Sequence, residues 1–218
     1  RNLDPVREVW NGGPKGCYYR RSGVMIERAA AFAEKAHRGV FRKGTNVPYI
    51  THPMETAVIV SAFTDDEELI AAALLHDVIE DAGISREELE QVFGRRVASL
   101  VQNESEDKSR SWRERKANTL KRLNDAPWET KILTLGDKLS NIRCTARDYM
   151  ILGEDIWQRF NEKDKNRHAW YYWGISHRLR ELEDHLYFKE YEMLCCSVFG
   201  RDRSLTEEDV FPDQRGAG

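Results

Sequence analysis

The sequence predicts an all-α protein, and three observations carry that prediction. Apolar residues recur at helical spacing through most of the 218 residues. The alternation that marks strands is negligible, and residues that start and stop helices bound the periodic segments. We expect one domain over residues 24–200, with loose extensions at 1–23 and 201–218, where Gly, Pro and charged residues accumulate.

Local signals bound the elements of the first half. Alanines at helical spacing predict a helix that ends at Gly39, and Pro53 is tolerated in the first turn of the next helix. One continuous helix is expected from residue 66 to 80. A capping box from Ser85 to Glu88 opens the following helix. The predicted bounds are, in order, 24–38, from 52 onward, 66–80, 85–93 and 95–102.

The second half continues the helical pattern after a polar loop at 103–110. A charged helix comes first, and after Pro127 leucines and isoleucines on one face predict a long amphipathic helix. The aromatic run Trp170–Trp173 begins another helix and is interpreted as core or interface. The predicted bounds are 111–123, from 128 through 142, 170–186 and 190–199.

Charge, hydropathy and cysteine content exclude several classes of function. The formal net charge of -3 argues against bulk capture of nucleic acid, and no apolar run approaches the ~20 residues of a membrane span. The four cysteines lack the paired CxxC spacing of a zinc knuckle, so reduced thiols are expected. We therefore predict a cytoplasmic protein that binds neither nucleic acid nor membranes.

The most informative segment is residues 76–81, with the sequence His-Asp-Val-Ile-Glu-Asp, which follows a long apolar run. At 3.6 residues per turn, His76 and Glu80 lie about one turn apart, as do Asp77 and Asp81. Burying three carboxylates beside an imidazole is unfavourable unless a cation compensates their charge. The segment therefore predicts half of a metal site.

Two further segments supply matching ligands. His52 stands at a helix start between two prolines that restrict the backbone, and Asp137 lies one helical turn from Asn141. With His76 and Asp77, these residues make a mixed nitrogen and oxygen shell. Such a shell suits Mn, Fe or a similar octahedral ion better than structural zinc.

The order of these segments resembles that of the HD-domain metal-dependent phosphohydrolases, and in particular the hydrolase domain of the RelA/SpoT homologues, over roughly residues 25–199. The segments that carry the resemblance are Arg42-Lys43, residues 48–53, residues 76–81 and residues 137–143. It implies an HD-type helical bundle that removes the 3′-pyrophosphate from the alarmones ppGpp and pppGpp. The implied products are GDP or GTP and pyrophosphate, and the implied cofactor is one Mn²⁺ per active site.

The resemblance also assigns roles to individual residues. The family's metal ligands correspond to His52, His76, Asp77 and Asp137. The acidic pair that handles the attacking water corresponds to Glu80 and Asp81, with Glu80 placed to act as general base. The nucleotide contacts correspond to Arg42, Lys43 and Asn141, and Lys108 matches a phosphate contact. Gly136 replaces the family's usual alanine and predicts a helix weaker by up to ~1 kcal/mol.

Several alternatives stay open from the sequence. The chain could be another HD-type nucleotide phosphohydrolase, such as a ppApp hydrolase or a 5′-nucleotidase, or a non-catalytic HD regulatory module. Lys108 stands in a charged loop and could simply be solvated. The sequence also leaves open whether the chain forms a homo-oligomer, and whether it neutralises a toxic alarmone synthetase.

Overall fold

The computed structural model describes residues 24–211, and within that range the protein is helical. The predicted all-α class is confirmed, because the described residues contain no strand beyond an isolated antiparallel bridge between Phe41 and Pro48. The helices are α1 (Val24–Ala36), α2 (Thr51–Ser61), α3 (Glu67–Leu75), α4 (Val78–Ala82), α5 (Arg86–Phe93), α6 (Arg95–Glu104), α7 (Trp112–Leu123), α8 (Trp128–Leu152), α9 (Lys165–Arg178), α10 (Leu186–Phe199) and α11 (Glu207–Val210). Short 3₁₀ segments, Gly153–Arg159 and Arg180–Leu182, follow α8 and α9.

Helix α3 forms the centre of the bundle. The side chain of Asp66 caps it by accepting hydrogen bonds from the backbone N–H groups of Glu68 and Leu69. Every residue from Leu69 to Leu75 is buried, and α3 packs against α1, α2, α6 and α8. A helix that is apolar on all sides has no face to offer to water, so neighbours surround it.

The 25-residue helix α8 is the longest helix of the described residues. It packs against α2 and α10, and α9 lies between α7 and α10. The amphipathic face that the sequence predicts is buried, with Leu133, Leu135, Leu139 and Ile142 at 0 % exposure. Because α2, α3 and α8 contact one another, they bring together three segments that are distant in the chain. Among the helices of residues 24–211, none combines the length and hydropathy of a bilayer span.

The continuous helix expected over residues 66–80 is wrong. Helix α3 ends at Leu75, residues His76 and Asp77 form a turn, and α4 begins at Val78. The His76 ring bonds through Nδ1 to the carbonyl oxygen of Ala73 at 2.8 Å, a local side-chain contact of the kind that competes with helix continuation. The turn separates the two halves of the acidic segment, although the N–H of Asp81 still donates to the carbonyl of Asp77 at 2.8 Å.

The last helices also begin earlier than predicted. Asp164 caps α9 by accepting from the N–H of Asn166 at 2.8 Å, and His185 caps α10 through the N–H of Tyr187 at 3.2 Å. Such caps satisfy orphan amides of the first turn and so extend a helix beyond its apolar run. Helix α9 ends at Arg178, before the predicted end at 186.

Residues 201–211, assigned from the sequence to a loose tail, include α11 and pack on the bundle. Val210 is 6 % exposed, its carbonyl accepts from Nε of Arg167 at 3.1 Å, and the Arg167 guanidinium lies 4.4 Å from the centroid of Phe211. The sequence did not predict this contact because the segment is rich in charged residues. Its two apolar residues are nevertheless enough to dock a short segment. The extension 1–23 and residues 212–218 lie outside the described residues.

Helices α2 and α8 approach closely at Gly136. A Cβ atom at Gly136 would lie 3.0 Å from Cγ2 of Val60 and 3.2 Å from the carbonyl oxygen of Thr56. Asp137 is the next residue on α8, and His52 is one turn before Thr56 on α2. The glycine that weakens α8 as an isolated helix therefore permits the short separation between two predicted metal ligands.

We expect Gly136→Val to destabilise the fold by about 2 kcal/mol, since overpacking a tight contact typically costs 1–3 kcal/mol. Urea unfolding of the metal-free protein would measure this loss. Gly136→Ala is the matched comparison and should stay within about 1 kcal/mol of the parent, because its gain in helix propensity offsets the crowding. A valine variant that unfolds like the parent would show that α2 and α8 can separate freely.

Candidate metal centre and active site

The four predicted metal ligands converge on one point. His52 begins α2, His76 and Asp77 form the turn after α3, and Asp137 lies in the middle of α8. Nε2 of His76 lies 3.1 Å from Nε2 of His52 and 3.0 Å from Oδ2 of Asp77. Nε2 of His52 lies 3.2 Å from Oδ1 of Asp137 and 3.5 Å from Oδ2 of Asp77. Adjacent ligands around an octahedral ion at about 2.1 Å would be separated by about 3 Å, close to these spacings.

Hydrogen bonding fixes which nitrogen of His76 carries the proton. Its Nδ1 lies 2.8 Å from the carbonyl oxygen of Ala73, and because a carbonyl can only accept, Nδ1 must donate. In the neutral ring the lone pair is then on Nε2, which faces the cluster. This arrangement is the usual outer support of a metal-bound histidine.

A longer chain of hydrogen bonds orients His52 in the same way. Its Nδ1 lies 2.8 Å from Oγ of Ser140, and that hydroxyl donates its single proton to Glu55 at 2.7 Å. Ser140 must therefore accept from Nδ1 of His52, which leaves the Nε2 lone pair for the cluster. Arg143 holds Glu55 at 2.9 Å and pairs with both oxygens of Glu190 on α10 at 2.7 Å.

The cluster has the electrostatics of a cation site. With both rings neutral, two nitrogen lone pairs and two carboxylates face one another in a buried space, and such a set is unfavourable without positive charge. Burial disfavours the charged form of His76 and lowers its pKa. Asp77 and then Asp137 outweigh this effect and raise the pKa of His76 to about 9. Burial would likewise raise the pKa of Asp77, but the two histidines hold it well below its ordinary value. The nitrogen and oxygen donors fit a divalent metal, in agreement with the predicted class of ion.

The predicted acidic pair lies beside this cluster, on α4. Burial raises the pKa of Glu80, whose carboxylate accepts from the backbone N–H of Glu106 at 3.2 Å. Asp81 contacts Lys108, whose Nζ lies 2.6 Å from Oδ1 of Asp81 and 2.8 Å from the carbonyl oxygen of Glu80. The structure thus places the ammonium group of Lys108 at the acidic pair, on a side chain that is 52 % exposed.

A cleft of about 300 Å³ opens next to the cluster. Among the described residues, five cationic side chains line the cleft and one carboxylate does, that of Asp148. The five are Arg42, Lys43, Lys116, Lys138 and Arg159. Aromatic rings complete the wall, and they are Tyr49, Trp112, Phe160, Tyr171 and Tyr172. Positive charge beside flat apolar surface is suited to an anionic ligand with a planar ring.

The predicted nucleotide contacts line this cleft. Asn141 donates through Nδ2 to Oδ1 of Asp137 at 2.6 Å, and its Oδ1 accepts from Arg42 at 3.3 Å. Asn141 therefore connects the metal cluster to the basic wall. Lys43 lies further out, where its Nζ is 3.4 Å from Oδ1 of Asn161 and 5.8 Å from the ring centroid of Phe160.

Two side chains at the site were not assigned any role from the sequence. The hydroxyl of Tyr49 donates to Oδ2 of Asp77 at 2.6 Å and lies 3.2 Å from Oδ2 of Asp81. Lys138 is buried and pairs with Asp137; burial opposes its charge, but Asp137 holds the pKa of Lys138 well above its ordinary value. Adjacency to a predicted ligand was the available signal for Lys138, and for Tyr49 it was membership of the segment 48–53, which carries the family resemblance.

The sequence profile of the HD domain matches residues 29–164. A protein of Danio rerio named guanosine-3′,5′-bis(diphosphate) 3′-pyrophosphohydrolase MESH1 is 38 % identical over 124 residues, which are 56 % of this chain and 69 % of that protein. An enzyme of Aquifex aeolicus named guanosine-3′,5′-bis(diphosphate) 3′-pyrophosphohydrolase is 32 % identical over 206 residues, which are 87 % of this chain but 28 % of that enzyme.

A solved structure extends the similarity to the fold. It is described as a metazoan orthologue of SpoT that hydrolyses ppGpp and plays a role in starvation responses. It superposes with a TM-score of 0.67 at 25 % identity, and the match covers 82 % of this chain and 96 % of that one. Together with the profile match, this similarity confirms the resemblance identified from the sequence.

Proposed function

Because the chain belongs to the HD-domain family, we propose that it is a metal-dependent hydrolase that removes the 3′-pyrophosphate from ppGpp and pppGpp. The observation that carries the proposal is that a cleft with five cationic side chains opens beside the cluster of His52, His76 and Asp137, whose two imidazoles also face Asp77. A guanosine alarmone has a planar base and two polyphosphate groups, and this cleft offers rings and positive charge for both. The names of the relatives agree with this function.

In the proposed reaction, His52, His76, Asp77 and Asp137 hold one divalent ion, for which we propose Mn²⁺. When bound, the ion supplies water activation and charge stabilisation at the phosphoryl group. Glu80 accepts a proton from the attacking water, a role that suits a carboxylate whose pKa is raised by burial. The water oxygen bonds to the phosphorus attached to the 3′ oxygen, the bond between that phosphorus and the 3′ oxygen breaks, and the 3′ oxygen leaves as a hydroxyl by taking up the proton that Glu80 accepted.

The remaining residues of the proposed site handle charge and position. Asp81 orients the water, and Lys108 lies close enough to Asp81 to reach the 3′-pyrophosphate as it is released. Arg42, Lys43 and Asn141 contact the nucleotide along the basic wall. Substrate phosphates would compete with Asp81 for Lys108, so the nucleotide itself would free the carboxylate for the reaction.

The proposal is tested with metal-depleted protein reconstituted with Mn²⁺ and incubated with ppGpp, pppGpp, ppApp and a 5′-nucleoside monophosphate. We expect equal amounts of pyrophosphate and GDP or GTP, and loss of turnover on adding a chelator. Stronger turnover of ppApp would favour an adenosine alarmone as substrate. Orthophosphate from the monophosphate would favour a 5′-nucleotidase, and no turnover of any substrate would favour a regulatory module. Parallel reconstitution with Mg²⁺, Fe²⁺ and Zn²⁺ would test the choice of ion.

We also propose a cytoplasmic location. In the described part of the chain, Cys144, Cys195 and Cys196 are free thiols, including the two adjacent ones. The homo-oligomer and the pairing with a toxic alarmone synthetase stay predictions from the sequence.

A further inference from the structure

The hydroxyl of Tyr49 lies between two carboxylates that the proposed function gives different tasks. It is 2.6 Å from Oδ2 of Asp77 and 3.2 Å from Oδ2 of Asp81. The same Oδ2 of Asp77 faces the Nε2 atoms of His76 and His52 at 3.0 and 3.5 Å. Tyr49 therefore touches a ligand oxygen from outside the metal cluster.

The backbone and ring of Tyr49 are held in place by their own contacts. The N–H of Tyr49 donates to the carbonyl of Val40 at 2.9 Å, beside the bridge between Phe41 and Pro48. Its ring packs against His37 at a centroid distance of 4.8 Å and meets the edge of His52 at 5.7 Å. Since the ring is confined on both sides, its hydroxyl is presented to the carboxylates in one position.

The short helix α4, with five residues, does little by itself to fix the relative positions of the two carboxylates. Asp77 and Asp81 stand at either end of its first turn, and a backbone hydrogen bond of 2.8 Å connects them. Their side-chain carboxylates carry like charges and would repel each other. The single phenolic proton can be shared between the two carboxylates, with the shorter bond to Asp77, so the hydroxyl links them without adding charge.

We propose that Tyr49 is a positioning residue, which holds Asp77 toward the metal ion and Asp81 toward the attacking water. The inference rests on the proposed metal-dependent hydrolysis, but its effect on metal binding does not depend on which nucleotide is the substrate. Hydrogen bonds to metal ligands from outside the shell typically change metal affinity or activity by 10- to 100-fold.

The test is Tyr49→Phe, which removes the hydroxyl and keeps the packed ring. The matched control is Tyr149→Phe, because the hydroxyl of Tyr149 also donates to a carboxylate at 2.6 Å, that of Glu154, and does not line the cleft. Mn²⁺ affinity is measured by competition with a fluorescent chelator, and kcat and KM are measured at saturating Mn²⁺.

We expect Tyr49→Phe to weaken Mn²⁺ binding about 10-fold and to lower kcat about 10- to 100-fold, with KM within about 3-fold of the parent. Tyr149→Phe should match the parent in all three. In the Asp81→Asn background, Tyr49→Phe should lower kcat less than it does in the parent, because part of its effect acts through Asp81.

Unchanged Mn²⁺ affinity and kcat in Tyr49→Phe would overturn the proposal, and so would an effect confined to KM, which indicates a substrate contact. Equal losses in Tyr149→Phe would also overturn it. If the parent turned over no alarmone, the proposed function would fail, yet the comparison of Mn²⁺ affinities would still decide the role of Tyr49.

Discussion

Asp77→Ala is expected to abolish both metal retention and hydrolysis. Oδ2 of Asp77 faces both histidine Nε2 atoms, and its loss leaves His52, His76 and Asp137 to hold the ion. A shell that loses one of its two carboxylates also loses half of the negative charge that compensates a divalent cation. Metal content after dialysis, measured by mass spectrometry, and pyrophosphate release would together measure the result.

Asp184→Ala is the control for this variant, because it removes an exposed carboxylate far from the cluster in sequence. It should retain the metal content and turnover of the parent. If Asp77→Ala retained a full equivalent of metal through dialysis, the assignment of Asp77 as a ligand would be wrong.

Glu80→Gln is expected to retain the metal but to lose turnover. The expected loss is about 10²- to 10⁴-fold, the usual contribution of a general base. The amide cannot take a proton from water, but its oxygen can still accept from the N–H of Glu106, as the carboxylate does at 3.2 Å. Single-turnover rates and metal content of the same preparation would separate chemistry from binding.

The comparison of the two variants makes this prediction specific. Equal metal loss in Asp77→Ala and Glu80→Gln would contradict separate roles for the ligand and the base. A Glu80→Gln variant with full turnover would transfer the role of base to another group, for which Asp81 is the neighbouring candidate.

The four proposed ligands could be identified from the sequence because their patterns are local and unusual. A histidine and an aspartate directly after a buried apolar run break the rule that polar groups avoid the interior. The supporting residues have no such signal. Ser140 and Glu55 occupy helical positions where polar side chains equally often face water, and their contact with His52 depends on how α2 meets α8.

The bounds of the helices also separate into those set by local sequence and those that depend on tertiary contacts. The capping box at Ser85 and Glu88 was predicted and is present with both of its hydrogen bonds, because all its atoms lie within one turn. The turn at His76 and Asp77 was missed, because helix propensity and periodicity continue through it. The docking of Val210 was also missed, since it depends on a surface formed by α9 and its neighbours.

By itself, the sequence determined the helical class and most helix positions, since capping and periodicity act between residues a few positions apart, and it predicted the groups proposed to bind a metal. Only the tertiary structure decided the 3.1 Å between the Nε2 atoms of His52 and His76, the tautomers of both rings and the placement of Tyr49. Those distances result from side-chain packing between helices, as at Gly136 and Val60, and packing depends on the shapes of residues that are far apart in the chain.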